Sequence, residues 1–107
     1  MNRRIILTAV FEAHLESITR WYDHREANLS ARFEAEVYKT LLRIAKYPFA
    51  YRRINDSVWR AVMYRFRYYI YFTFDARRVF VLAIIHQRRS DMPGWSARIE
   101  PKEVTND

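Results

Sequence analysis

Several residue types are scarce in this sequence, and each shortage excludes a class of protein. The 107 residues include no cysteine, which excludes disulfides, thiolate chemistry and cysteine zinc sites and agrees with a reducing compartment. Gly94 is the single glycine, so a glycine-rich phosphate loop and a Gly-x-Ser-x-Gly nucleophile turn are both excluded. No apolar run approaches the roughly 20 residues of a membrane helix, and the first residues make too short a run for a secretory signal. We therefore expect a cytoplasmic protein without membrane contact.

Positive charge is abundant, and it is concentrated in the second half of the chain. The formal net charge is +7. Residues 1–49 carry eight lysines and arginines against six acidic residues, a net of +2, whereas residues 50–98 carry ten arginines, no lysine and three aspartates, a net of +7. Such a field favours a polyanionic or acidic partner, and a solvated basic face without a specific site is the alternative.

The periodicity of the apolar residues predicts one α+β domain over residues 1–107, with a frayed tail from about 102. An initial strand is predicted around Ile5–Leu7. Apolar spacings of three and four residues predict helices over about 9–24 and 26–46, and the short connection favours an antiparallel hairpin that ends before Pro48. The period then becomes two, which predicts an antiparallel meander of strands at 58–65, 68–74 and 79–86, with an extended lead-in at 51–54. The helical hairpin should pack on this small sheet.

The two faces of the predicted sheet differ in what must cover them. Ile70, Phe72 and Phe74 fall on one face of the middle strand, and we expect the helices to cover that face. The last strand is apolar on both faces, which in an antiparallel sheet implies a second cover. The chain's own segment around Trp95 and a bound partner are the two alternatives for it.

In this order of elements the chain resembles the RelE/ParE toxin superfamily, from about Leu7 to Trp95. The first helix is similar to the Ala-x-x-Asp-Leu-x-x-Ile run of the ParE-like branch, with Leu15 and Ile18 in place but without the aspartate. The segment 58–72 is similar to the family's Arg…Phe-Pro-Tyr-x-Ile-x-Tyr hairpin, with Arg67 where proline is usual. The segment 81–95 is similar to its closing Val-Leu-Ala-Val-x-His-x-x-Arg-x-Pro-x-x-Trp run, with Pro93 shifted by an insertion.

The resemblance implies the growth-inhibiting toxin of a type II toxin–antitoxin pair, of the kind associated with plasmid stabilization, with a cognate antitoxin as its partner. ParE-like members poison DNA gyrase by binding it, whereas RelE-like members cleave messenger RNA on the ribosome. The missing lysines and the run from His86 to Trp95 favour the ParE-like branch, and an enzyme is the less favoured alternative. A plain, non-toxic nucleic-acid-binding module is a third possibility, which a steep salt dependence of binding without a growth defect would support.

Cleavage of RNA would need a proton acceptor, a proton donor and positive charge near the phosphate. Arginine can stabilise phosphate charge but cannot act as a base at ordinary pH, so His86 is the titrating candidate, with Arg60 and Arg88 as the charged groups and Tyr69 or Tyr71 as weaker bases. A structural turn is the competing interpretation of His86. For Arg60, a pair with a carboxylate such as Asp75 and a phosphate contact are equally plausible.

We expect the antitoxin to bind a surface that combines apolar anchors with arginines. The residues predicted to contact it are Arg60, Arg65, Phe80, Leu82, Arg88, Arg89 and Trp95. No cofactor and no metal are expected, because His14 and His24 lie far from His86 in sequence and offer no ligand spacing.

Overall fold

A computed structural model describes residues 2–89, which fold as two helices against one five-stranded sheet. The strands are β1 (Arg4–Leu7), β2 (Arg52–Arg53), β3 (Trp59–Val62), β4 (Tyr68–Phe74) and β5 (Arg78–His86), and the helices are α1 (Ala9–Asp23) and α2 (Leu29–Lys46). Short 3₁₀ turns cover Pro48–Ala50 and Gln87–Arg89. In this part of the chain neither helix is long and apolar enough to cross a membrane. The predicted α+β fold is confirmed.

The strand order is β1-β5-β4-β3-β2, so β5 lies inside the sheet and β2 lies at its edge. The three predicted meander strands and the short lead-in strand pair antiparallel. The sheet as a whole is mixed, because β1 joins it parallel to β5, from Arg4 beside Arg78 to Leu7 beside Val81. The helical hairpin is the crossover that carries the chain from β1 to the other side of the sheet, as parallel pairing requires.

Local signals fix the ends of the helices. Thr8 caps α1, since its hydroxyl oxygen accepts a hydrogen bond from the Phe11 N–H at 3.2 Å. The same hydroxyl donates to the Val81 carbonyl at 2.8 Å and so ties the start of α1 to β5. Asn28 adopts a left-handed backbone with φ of 69°, a conformation that asparagine tolerates, and α2 therefore begins at Leu29 rather than near Glu26 as predicted.

The main core lies between the helices and the sheet. Phe11 and Phe33 from the helices are fully buried against Ile70, Phe72 and Ile84 of the sheet, which confirms the face predicted for the middle strand. A second cluster occupies the outer face, by which we mean the face of the sheet turned away from the helices. It contains Val58, Tyr71, Leu82 and Ala83, with Tyr69, Phe80 and Ile85 packed against it. Both faces of β5 are therefore buried, as the sequence predicts.

A bulge in β5 changes which residues reach each face. Tyr71 pairs with Ala83 whereas the next residue, Phe72, pairs with Val81, so Leu82 is an extra residue on β5. Val79, Val81 and Ile84 consequently pack toward the helices, whereas Phe80, Leu82 and Ala83 pack on the outer face. A strict alternation would have placed Ile84 on the same face as Leu82.

Candidate functional site

Four arginines and one histidine lie at the end of the sheet where β5 finishes. Arg65 and Arg67 belong to the β3–β4 turn, and Arg88 and Arg89 to the 3₁₀ turn after His86. Gln87 joins these two turns, because its N–H donates to the Arg67 carbonyl at 2.9 Å and its Nε2 donates to the Met63 carbonyl at 3.4 Å. We call this surface, made of Arg65, Arg67, His86, Arg88 and Arg89, the basic end.

The arginines of the basic end are exposed and face no carboxylate within residues 2–89. The ion pairs in that range join Arg20 to Glu16, Arg32 to Glu26, Lys39 to Glu36 and Arg78 to Asp75. Four guanidinium groups without compensating charge create a positive field that attracts anions and acidic segments. The basic second half predicted from composition thus becomes a defined surface.

His86 is held as a neutral ring by its surroundings. Its Nδ1 accepts a hydrogen bond from the Arg88 N–H at 3.1 Å, and its ring packs edge-on against Tyr68 at 5.1 Å. Partial burial, and then the charges of Arg88, Arg89 and Arg67, lower the pKa of His86 below its usual value of 6.5. Because a backbone N–H can only donate, the ring proton of the neutral form lies on Nε2. The nitrogen that could accept a substrate proton is therefore already engaged.

The ring of Tyr68 packs against the ring of His86. It belongs to the main core, where it packs against Phe33 at 5.3 Å. Burial and a hydrogen bond with Tyr22 raise the pKa of Tyr68 well above its usual range, which the Arg89 charge only partly opposes. Tyr68 thus stays a protonated phenol at physiological pH. Tyr69 and Tyr71, the weaker bases considered from the sequence, belong instead to the cluster on the outer face.

Arg60 lies on the outer face, opposite to His86. In antiparallel pairs, residues directly across from each other share a face. His86 pairs with Tyr68, which faces the helices, whereas Arg60 pairs with Tyr71, which belongs to the outer face. Of the three residues considered for RNA cleavage, the structure brings together His86 and Arg88 and leaves Arg60 on the other side of the sheet.

The expected alternative of a pair between Arg60 and Asp75 is wrong. Asp75 lies at the β4–β5 turn, where its carboxylate accepts hydrogen bonds from the N–H groups of Arg77 and Arg78 and from the Arg78 guanidinium at 2.8 Å. The Arg60 guanidinium instead lies 4.1 Å from the centre of the Tyr69 ring. Its Nε is buried and has no hydrogen-bond partner in the described structure. Arg52, exposed on the edge strand, lies directly opposite Arg60 and adds a second positive charge to the same face.

The two apolar residues predicted to contact a partner differ in exposure. Phe80 is half-buried on the outer face, and the Arg78 guanidinium lies 5.0 Å from its ring centre. Leu82 is only 2% exposed. Phe80 is thus accessible in part, whereas Leu82 is a core residue of the outer cluster. Trp95, the remaining predicted contact, lies outside the described residues.

His14 was not singled out from the sequence, yet it stabilises the edge of β5. Strand β1 pairs with β5 only as far as Val81, and beyond that point the Nδ1 of His14 accepts a hydrogen bond from the Ile84 N–H at 3.4 Å. Burial lowers the pKa of His14 below its usual value of 6.5. A histidine on the sheet-facing side of a helix is a weak signal in sequence, because nothing there reveals which backbone group it meets.

We expect His14 to make the protein less stable in mild acid. Its pKa is lower in the folded than in the unfolded chain, so the stabilisation by neutral His14 is present above pH 6.5 and is lost as pH falls through the folded-state pKa. Urea unfolding at a series of pH values should show this loss, to which His86 contributes with the same sign. His14→Asn, which keeps an uncharged acceptor, should flatten the profile, with His24→Asn at the exposed end of α1 as the control. A profile unchanged by His14→Asn would contradict this assignment.

Comparison with known proteins agrees with the architecture. The family model described as "ParE toxin of type II toxin-antitoxin system, parDE" matches residues 5–91. No individual curated protein sequence matches the chain. The fold is similar to a solved chain of the chromosomal ParDE toxin–antitoxin system of P. aeruginosa, with a TM-score of 0.69 and 11% identity over 78% of this chain and 95% of that one. This identity establishes the fold alone, whereas the family match spans most of the sequence. The chain belongs to the ParE toxin family of type II toxin–antitoxin systems.

Proposed function

We propose that this protein is a growth-inhibiting toxin that acts by binding DNA gyrase and does not itself cleave RNA. Membership of the ParE family supports a toxin with a cognate antitoxin, and the choice of gyrase as the target comes from what ParE-like toxins do. The proposal that the protein does not cleave RNA rests on the hydrogen bond from the Arg88 N–H to Nδ1 of His86.

A nuclease would need a base that is free to accept a proton from the ribose hydroxyl. The acceptor nitrogen of His86 is occupied, and residues 50–98 contain no lysine. Tyr69 and Tyr71, the weaker candidate bases, belong to the outer face and so lie across the sheet from His86. Arg60 could not assist His86 across the sheet. The basic end is a positive surface without a free base, which suits binding better than proton transfer.

The antitoxin is expected to meet two surfaces, the outer face and the basic end. Phe80 offers a partly accessible apolar anchor, and the basic end offers four unpaired arginines for an acidic segment. The Arg60 guanidinium lies on the outer face, 4.1 Å from the centre of the Tyr69 ring, and would pair with a carboxylate of the antitoxin. An acidic, otherwise disordered segment that folds on binding would fit this combination.

Expression of the chain without its antitoxin is expected to arrest growth. DNA synthesis should stop before RNA and protein synthesis, and the purified protein should inhibit supercoiling by gyrase. His86→Asn, whose side-chain oxygen can still accept from the Arg88 N–H, should remain as toxic as the parent. Pulse labelling of the three syntheses, with His86→Ala and His86→Asn in parallel and folding checked by circular dichroism, tests both parts of the proposal.

Two results would contradict the proposal separately. Ribosome-dependent cuts in a reporter RNA that disappear in folded His86→Ala would make the protein an RNA-cleaving enzyme with His86 as its base. Normal growth at high expression of folded protein, together with salt-sensitive binding of DNA or RNA, would instead indicate a non-toxic nucleic-acid-binding module.

A further inference from the structure

A second group of arginines lies at the opposite end of the sheet from the basic end. A surface cavity of about 580 Å³ is lined by Arg4 from the start of β1 and by Asp75, Ala76, Arg77 and Arg78 from the β4–β5 turn. All five residues are exposed. We call this site the turn cavity. Its lining consists of three arginines, one aspartate and one alanine, so any ligand must be held by charge.

Asp75, the one carboxylate in the lining of the turn cavity, does not neutralise the positive charge of the three arginines there. Asp75 is fully engaged by Arg78, whose Nε and Nη2 donate to the same carboxylate oxygen at 3.1 and 2.8 Å, while the other oxygen accepts from two backbone N–H groups. These bonds hold the pKa of Asp75 at about 2, so the aspartate remains charged and occupied. Arg4 and Arg77 have no ion pair among residues 2–89, which leaves two guanidinium groups available.

The backbone of Arg4 is tied to that of the β4–β5 turn. Arg4 donates its N–H to the Arg77 carbonyl at 2.8 Å, and Arg4 is the direct partner of Arg78 in the parallel ladder. Neighbouring Arg3 is fixed as well, since its Nε donates to the Asp75 carbonyl at 2.8 Å and its guanidinium lies near the rings of Phe49 and Phe74. Arg4 and Arg77 therefore line one cavity while neither is neutralised by an ion pair among residues 2–89, and a bound anion would compensate both charges.

We propose that the turn cavity binds a backbone phosphate of a nucleic acid through Arg4 and Arg77. Arginine matches the geometry of phosphate oxygens and forms bidentate hydrogen bonds with them. An acidic peptide is less suitable, because Ala76 is the only apolar residue in the lining and gives no anchor for side chains. All five residues that line the cavity are exposed to solvent. An open site of this kind can admit a phosphate group of a nucleic-acid backbone, whereas a small free anion is usually held in an enclosed site. This site goes beyond the proposed function and does not depend on it.

The test is binding of a short fluorescently labelled DNA duplex and of the matching single strand, by anisotropy between about 50 and 200 mM salt. Arg4→Ala and Arg77→Ala should each weaken binding about three- to tenfold and lower the slope of log affinity against log salt by about one. Arg20→Ala, an exposed arginine of α1 that pairs with Glu16, is the matched control and should change neither quantity. Because Arg4 and Arg77 are exposed, neither substitution should unfold the chain. Circular dichroism of each variant checks that it is folded.

Inorganic phosphate and a polyglutamate peptide serve as competitors and distinguish the possible ligands. The proposal is overturned if the folded double variant Arg4→Ala/Arg77→Ala binds DNA with the affinity and salt slope of the parent, or if the parent binds no DNA. It is equally overturned if the two substitutions weaken only the binding of phosphate or of the peptide. Gyrase inhibition and growth arrest measured on the same variants report on the proposed function separately from DNA binding.

Discussion

Phe33→Ala is expected to lower the free energy of unfolding by about 3–5 kcal/mol, the range for removing a buried aromatic side chain. Phe33 is 0% exposed and its ring contacts those of Tyr22, Phe66 and Tyr68 at 5.2–5.3 Å. The substitution therefore empties a space between both helices and the sheet. Because small domains are stable by only about 5–15 kcal/mol in total, the substitution should remove a large share of the stability. Urea denaturation of the purified protein measures the loss.

Tyr38→Ala is the matched control for this prediction. Tyr38 lies on the same helix as Phe33 but is 62% exposed. Its replacement should cost less than about 1 kcal/mol, as expected for a surface position. An equal loss in the two variants would mean that α2 does not pack on the sheet as described. Toxicity should follow stability, so that Phe33→Ala weakens it and Tyr38→Ala keeps it.

Reversal of charge at Arg88 and Arg89 is expected to slow association with the antitoxin by about ten- to a hundredfold at low salt. Both arginines are exposed and unpaired within residues 2–89, so glutamate at these positions removes an attractive field and adds a repulsive one. The salt dependence of the association rate should flatten as well. Stopped-flow mixing with the cognate antitoxin measures both. The double variant Arg20→Glu/Arg32→Glu, at exposed positions of α1 and α2, changes the net charge by the same amount and is the control.

Substitutions at the two apolar residues predicted to contact the antitoxin should have different effects, one on the affinity of the complex and the other on the stability of the fold. Phe80→Ser is expected to speed dissociation, because Phe80 is only half-buried in the free protein. Leu82→Ser should chiefly destabilise the fold, since Leu82 lies inside the outer cluster. A complex that is indifferent to both the Arg88/Arg89 reversal and Phe80→Ser, or an antitoxin that maps only to helices α1 and α2, would refute this surface as the binding site.

The secondary structure was largely predictable because its signals are local. The apolar spacing of α1 and α2, the stop at Pro48 and the change to a period of two each depend on a few neighbouring residues. The ends of β3 were predicted less well: the strand covers Trp59–Val62 rather than 58–65, because Met63 to Arg67 form the turn that Gln87 holds. The face of Ile70 and Phe72 was also predictable, since β4 keeps its alternation.

The candidate site was predictable only in part. That His86 would lie near Arg88 follows from their spacing in the chain. The hydrogen bond that occupies Nδ1 of His86 does not, because it depends on how the chain turns after β5. The partner of Asp75 is a neighbour in sequence, Arg78, yet choosing it over Arg60 required knowing that the β4–β5 turn is tight and that Arg60 lies on another strand.

By itself the sequence determined the composition-dependent properties: a fold held without disulfides, a basic second half, and helices and strands whose apolar faces are set by periodicity. Only the tertiary structure decided which faces those charges occupy. The extra residue at Leu82 reverses the alternation along β5, the parallel pairing of β1 creates the turn cavity, and the pairing of β3 with β4 separates Arg60 from His86. The physical reason is that periodicity depends on the nearest neighbours in the chain, whereas register and strand order depend on contacts between residues as far apart as Thr8 and Val81.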